Sequence, residues 1–236
     1  MKNTFKLQKT YKKILILFEK KNYKKCFKII NKIIPLLDDN EKLFFNFIKQ
    51  QGLTLFYLKK YQEAIFYLEL ALNKSVDEKN IYELQKYLFN NYFKLGDYEN
   101  IIKYGLTLTQ HKKIPLFEKA KVLSIVSRFY YLKFLQSNKK VYLIRGLYYN
   151  TECQNVFKEL NDNSSKDYMY TLYDCADINF GLEDYDTAIN YYEKVENKTN
   201  DPDVLFGVYS NLSYIYKKKG YLDTMLYYKR KLNSLR

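Results

Sequence analysis

His111 and the cysteines Cys26, Cys153 and Cys175 carry the most specific chemistry in this chain, and their spacing leaves it unused. The lone histidine sits in the turn-like stretch LTQHKKIP, and is expected to be solvated. The cysteines are far apart, with no CxxC and no Cys/His set at zinc spacing. They are expected to be reduced thiols at small core positions. The glycine patterns that cradle phosphates and the GxSxG elbow are both missing. LDDNE at 37–41 lacks the ligand ladder of a calcium loop and reads as a turn and helix start. These residues point away from an enzyme and call for no cofactor and no metal.

A second kind of chemistry is available. Lys86 and Asn90 stand four residues apart, so a helix puts an ammonium and a carboxamide on one face. Together they could hold a chain-terminal carboxylate. Asn90 and Asn211 could each bind peptide backbone, because one amide donates to C=O and accepts from N–H. Equally, each could be an ordinary solvated residue on a helix face.

Such side chains need a scaffold, and the composition narrows it. Of 236 residues, 47% are hydrophobic and 28% charged, a balance that packs rather than staying disordered. Only 7 Gly and 3 Pro occur, too few turn formers for a sandwich or barrel; long periodic stretches with few breakers argue for an all-α chain. The 27 Tyr and 16 Phe suit a thin core with wet edges. Lys, Asn or Glu interrupts every apolar run short of membrane-spanning length, so no membrane span is expected. MKNTFKLQKTYKKILILF lacks a small-residue cleavage site after its short apolar run, and a cytoplasmic location is expected.

One unit recurs along the chain. A short turn leads to an aromatic residue or Leu, then an apolar residue three positions on, then an amphipathic helix. Tyr23 with Cys26, Tyr61 with Ala64, Tyr98 with Ile101, Tyr185 with Ala188 and Leu222 with Met225 mark five copies, spaced 38, 37, 87 and 37 residues apart. The wide gap holds one further unit that has lost its signature and gained length. Helical stretches precede each turn at 5–19, 42–58, 80–94, 168–181 and 204–218. In the irregular middle, 113–162, Pro115 opens a helix over 114–135. A second stretch, 137–160, starts at a cap formed by Ser137 or Asn138. This pair is either a drifted repeat or a hinge or functional insert. NDNSSKD at 161–167 is a soft division within a single domain spanning 1–236.

Gly52, Tyr61, Ala64 and Ala71, then LGDY with Gly96 and Tyr98, then Ala176, EDY at 183–185 and Ala188, with Pro202 following, resemble the tetratricopeptide repeat (TPR) family. The resemblance implies an all-α, right-handed α-solenoid of about six helix-turn-helix pairs, the fourth enlarged and degenerate. It also implies a non-enzymatic scaffold that binds a protein or peptide segment in a concave groove lined by the first helix of each pair. Placed by register, the groove residues are Lys49, Lys86, Asn90, Arg128, Tyr173, Asp177, Asn211, Tyr214 and Lys217. Lys86 with Asn90 resembles half of that family's carboxylate clamp; the remaining clamp residues are not matched. The units exceed the usual length of about 34 residues and no Trp occurs, which implies longer helices and altered groove geometry. Repeat length and helix length are also similar to the regulatory domains of Gram-positive peptide-pheromone receptors of the Rap and Rgg type. That likeness implies a regulatory peptide receptor. Repeats that begin near residue 5 leave no room for a DNA-binding domain ahead of them.

Charge is segregated. Residues 1–32 carry a net +10 and residues 217–236 a net +6, whereas 33–216 sum to −2. Lys6, Lys9 and Lys13 recur at helical spacing with Lys2, as do Lys21, Lys24, Lys25 and Lys28 with Lys32. Three readings stand. The ridge is the polar outer face of a terminal repeat, and a lysine-favouring genome fits the four Arg among 40 basic residues. It attracts an acidic partner, nucleic acid included. Or it lies on an anionic membrane surface. An exposed end could also form a homodimer.

Overall fold

The computed structural model of the chain describes residues 2–38 and 42–235. Residues 39–41 of the LDDNE stretch lie outside the described residues, as does the side chain of Lys2. The described residues form twelve α-helices and one 3-10 turn, with no strand. They divide into two compact units, the second beginning at Lys112.

The first unit runs α1 (Lys2–Glu19), α2 (Tyr23–Ile33), a 3-10 turn (Ile34–Leu36), α3 (Lys42–Tyr57), α4 (Tyr61–Asn73), α5 (Glu78–Leu95) and α6 (Tyr98–Thr109). Each helix packs on the next, and the first helices of successive pairs, α1, α3 and α5, also touch. No pair could bury its apolar stripe alone, so stacking supplies the core. Ile14, Cys26, Ile30 and Phe47 close one end of it. Ala64 and Ala71 are fully buried, as their recurrence on one helix face requires. Gly52 lets α3 approach α4: a Cβ there would lie 2.7 Å from Leu68 Cγ.

The second unit runs α7 (Leu116–Ser137), α8 (Lys140–Glu159), α9 (Lys166–Gly181), α10 (Tyr185–Glu196), α11 (Pro202–Lys218) and α12 (Leu222–Asn233). Its helices also pack in sequence, and α7 meets α9. Leu172, Ala176, Ala188, Tyr192, Val195, Val208, Leu212 and Ile215 form one buried group. Asp and Ser side chains cap several starts. Ser165 accepts from the Tyr168 N–H, Asp184 from Thr187 and Asp201 from Asp203.

The turn inside every pair contains one residue in the left-handed conformation: Lys21, Lys59, Gly96, Asn138, Glu183 and Gly220. In five of the six the chain closes as a Schellman motif, the next N–H reaching back five residues, as from Lys60 to Leu55 and from Asp184 to Asn179. The α7–α8 turn is the exception. There Asn138 N–H bonds Phe134 O in a simpler one-bond cap. This corrects the expected start of α8: Ser137 and Asn138 end α7, and α8 starts after Lys139 with no side-chain cap. Asparagine tolerates the left-handed region, so it serves as a C-terminal stop here. At 22 and 20 residues, α7 and α8 are the longest helices of the unit.

Candidate functional site

In the second unit, the first helices of three successive pairs are joined by polar side chains. Arg128 of α7 reaches Asp174 of α9, Nε lying 2.9 Å from Oδ1 and 3.2 Å from Oδ2, with Nη2 also 2.9 Å from Oδ1. A planar guanidinium fork on a carboxylate fixes both side chains. The guanidinium lies over the Tyr170 ring, 5.6 Å from its centroid. Asp174 itself is buried. Burial pushes its carboxyl up to about 6, against the pull of the Arg128 charge and its hydrogen bonds.

One helical turn on, Asp177 is half-buried. Its Oδ1 accepts from the Tyr192 hydroxyl at 2.6 Å and from Asn211 Nδ2 at 3.3 Å. Asn211 Nδ2 also donates to the Tyr192 oxygen at 2.7 Å, closing a three-residue network across α9, α10 and α11. Burial is the main reason the Asp177 carboxyl rises to about 7; the Tyr192 bond opposes it and the Asp174 charge adds to it. The Tyr173 ring meets the Tyr192 ring edge-on at 6.2 Å. Its hydroxyl stands against Gly207 of α11, where any Cβ would collide with it. Desolvation, with Asp177 and Asp174 nearby, raises the hydroxyls of Tyr131 and Tyr173 above the ordinary tyrosine value.

Of the residues placed by register, Asp177 and Asn211 share this network, Tyr173 packs on its Tyr192 ring, and Arg128 pairs with the neighbouring Asp174. Tyr214 is exposed, edge-on to Phe180 at 5.5 Å, with Lys218 over its ring. Lys217 is exposed at the end of α11. Asp174, Tyr192 and Gly207 were not singled out in sequence. Asp174 was within reach, since it lies three residues from Asp177 and four from Tyr170 on one helix face. Tyr192 belongs to a second helix and contributes only its hydroxyl tip, which register does not reveal.

In the first unit, Lys49 of α3 bonds Asn80 Oδ1 at 2.7 Å and pairs with Glu83, both on or beside α5. Its charge ties two first helices together. Lys86 and Asn90 are half-buried on α5 at the expected spacing. The hydroxyls of Tyr57 and Tyr87 meet at 3.3 Å. His111, expected to be solvated, instead has Nε2 2.6 Å from Gln85 Oε1 and its ring edge-on to Tyr82 at 5.0 Å. All three cysteines are free and buried, as small core residues are. Among the described residues no group of three or more His, Cys, Asp or Glu could hold a metal ion. No helix there is long and apolar enough to cross a membrane.

The helix pair α1–α2 is the basic end. Lys6, Lys9, Lys13, Lys21, Lys24, Lys25 and Lys28 are all exposed, and none is in an ion pair among the described residues. Phe5 and Ile16 are exposed beside them, at 72% and 53%.

No protein-family model matches the sequence. No curated protein matches it either. Solved structures do. The apo form of RapI matches with a TM-score of 0.66 at 17% identity, over 90% of this chain and 59% of that one. A tetratricopeptide repeat protein from Parabacteroides merdae matches with a TM-score of 0.58 at 14% identity, over 97% and 79%. BtubC from P. vanneervenii matches with a TM-score of 0.57 at 15% identity, over 82% and 80%. At these identities the likeness speaks for the fold, and with the six helix pairs and their repeated turns it establishes that the chain has the TPR-like α-solenoid fold.

Proposed function

We propose that this chain is a non-enzymatic scaffold that holds an extended or helical segment of a partner protein or peptide against the first helices of its pairs. The observation that carries this reading is the polar face shared by α7, α9 and α11. Arg128 is fixed there by Asp174, and Asp177 and Asn211 by each other and Tyr192, so a ligand meets side chains already ordered and less entropy is lost on binding. Tyr173, Tyr214 and Lys217 extend the surface in the second unit. Lys49, Lys86 and Asn90 are the corresponding contacts in the first. The likeness in fold to RapI agrees with the resemblance to Rap-type peptide receptors drawn from repeat length, and a regulatory peptide is the favoured ligand. Binding would then act by shifting helix packing.

The test is a pull-down at low and high salt with the wild type and with a variant carrying Lys86, Asn90, Tyr173 and Asn211 as Ala. A peptide or protein that survives high salt and is lost with the variant supports the scaffold. A capture that is indifferent to the variant refutes it.

The unpaired lysines of α1–α2 favour a second reading, an anionic partner bound through Lys6, Lys9, Lys13, Lys21, Lys24, Lys25 and Lys28. Lysine is a point charge without a planar fork, so this attraction would be poorly specific. Affinity for duplex DNA that falls steeply with salt, and falls again when these lysines become Gln, is its signature.

A further inference from the structure

We infer that the face shared by α9 and α11 takes a cationic group, an ammonium or guanidinium carried on the bound segment, at the open oxygen of Asp177. This rests on the scaffold reading above and narrows it to a ligand chemistry. The two oxygens of Asp177 differ. Oδ1 is saturated by Tyr192 and Asn211. Oδ2 accepts no hydrogen bond among the described residues and is not sealed from solvent. The carboxylate is thus held through Oδ1, with Oδ2 left without a hydrogen-bond donor.

Charge balance gives the sign of the occupant. Asp174 has a full counter-ion in Arg128. Asp177 has only neutral donors, an amide and a phenol. A half-buried carboxylate whose one neighbouring cation, Arg128, is already bound to Asp174 is costly, and either protonation or an incoming positive group removes the cost. The remaining groups facing it are Arg128 and Tyr131 from α7, Tyr173 and Asp174 from α9, and Tyr192 from α10.

A second site in the same unit shows what such an arrangement holds. Lys231 Nζ bonds Glu196 and lies 4.8, 5.3 and 5.9 Å from the ring centroids of Tyr227, Tyr209 and Tyr228. There a carboxylate and a set of tyrosines are filled by the chain's own lysine. Asp177 has the carboxylate and the tyrosines but no lysine of the chain. Gly207 lets the Tyr173 hydroxyl pack directly against α11.

The experiment selects a phage-displayed library of random peptides on the immobilised full chain at about pH 8, where an Asp177 carboxyl at about 7 is ionised. Wild type, Asp177→Asn and Asp177→Glu are run side by side. The chain's net charge of +14 opposes nonspecific capture of basic peptides, so any enrichment reports a local site. Wild type and Asp177→Glu are expected to enrich Lys or Arg at one fixed position, and Asp177→Asn to lose that enrichment. A selected peptide should bind the wild type about tenfold or more weakly when its Arg becomes citrulline. Its affinity should fall about tenfold from pH 8 to pH 6 as Asp177, at about 7, takes up its proton.

Equal binding of the Arg and citrulline peptides overturns the inference without any variant, should Asp177→Asn fail to fold. Enrichment that persists in a folded Asp177→Asn overturns it as well. Binders without a fixed cation that are lost with Asn211→Ala leave the scaffold standing and remove this site. No binder to any form removes both.

Discussion

At the scale of the residue, the molecule carries a built-in cost at Asp174 and Asp177. Both carboxyls titrate above the ordinary aspartate range, at about 6 and about 7, chiefly because burial disfavours their charge. In the unfolded chain they ionise near about 3.9. Between these values the native state binds more protons than the unfolded state. Stability from these two groups is therefore full below the unfolded value and is lost as pH rises through the folded ones. We expect Asp177→Asn to remove its share of that loss. The gain in melting temperature of the variant over wild type should grow from about pH 5 to about pH 8. Melting curves at stepped pH check this, and a difference that shrinks with rising pH would count against it. The amide still accepts from Tyr192, so the cost of a lost hydrogen bond does not obscure the comparison.

At the scale of the element, the turns decide how the pairs form. Lys59 sits in the left-handed conformation at φ 61°, exposed, between α3 and α4. A side chain there is held in a region that costs about 1 kcal/mol or more for a residue with a Cβ. Lys59→Gly should stabilise the protein by about 0.5–1 kcal/mol, read as a higher urea midpoint at unchanged slope. The opposite effect is expected inside the pair. Ala64 is fully buried where α4 meets its neighbours, and Ala64→Leu should cost about 1–3 kcal/mol by overpacking. An unchanged melting temperature would remove that role from Ala64. These two positions also show what the sequence displayed. Ala64 and Ala71 were legible because small residues on an apolar stripe must meet a backbone. The turns were half legible. Glycine marks only those at Gly96 and Gly220, while Lys21, Lys59, Asn138 and Glu183 adopt the same conformation without a signal. The turn of the middle repeat was misplaced, Asn138 reading as a start when it is a stop. Register placed Arg128, Tyr173, Asp177 and Asn211 on one face. It could not supply Tyr192, whose helix was assigned to the core, nor the pairing of Arg128 with Asp174 rather than with a ligand.

At the scale of the whole molecule, the two proposed ligand chemistries respond to salt with opposite signs. The chain carries +14 overall, concentrated at its ends, with a near-neutral stretch between them. A cationic peptide approaching a chain of net charge +14 is repelled at long range, over a distance set by screening, about 10 Å at 0.1 M salt. Its final contact is short, partly desolvated and little screened. Raising salt from about 20 mM to about 200 mM should therefore speed its association and leave its dissociation nearly unchanged. A polyanion meeting Lys6, Lys9, Lys13, Lys21, Lys24, Lys25 and Lys28 gains from the same field and from counter-ion release. Its affinity should drop by at least about tenfold over that range. Surface plasmon resonance with a selected Arg-containing peptide and with heparin on the same immobilised protein reads both. An Arg peptide whose association slows with salt would place its binding on an exposed acidic surface rather than at Asp177.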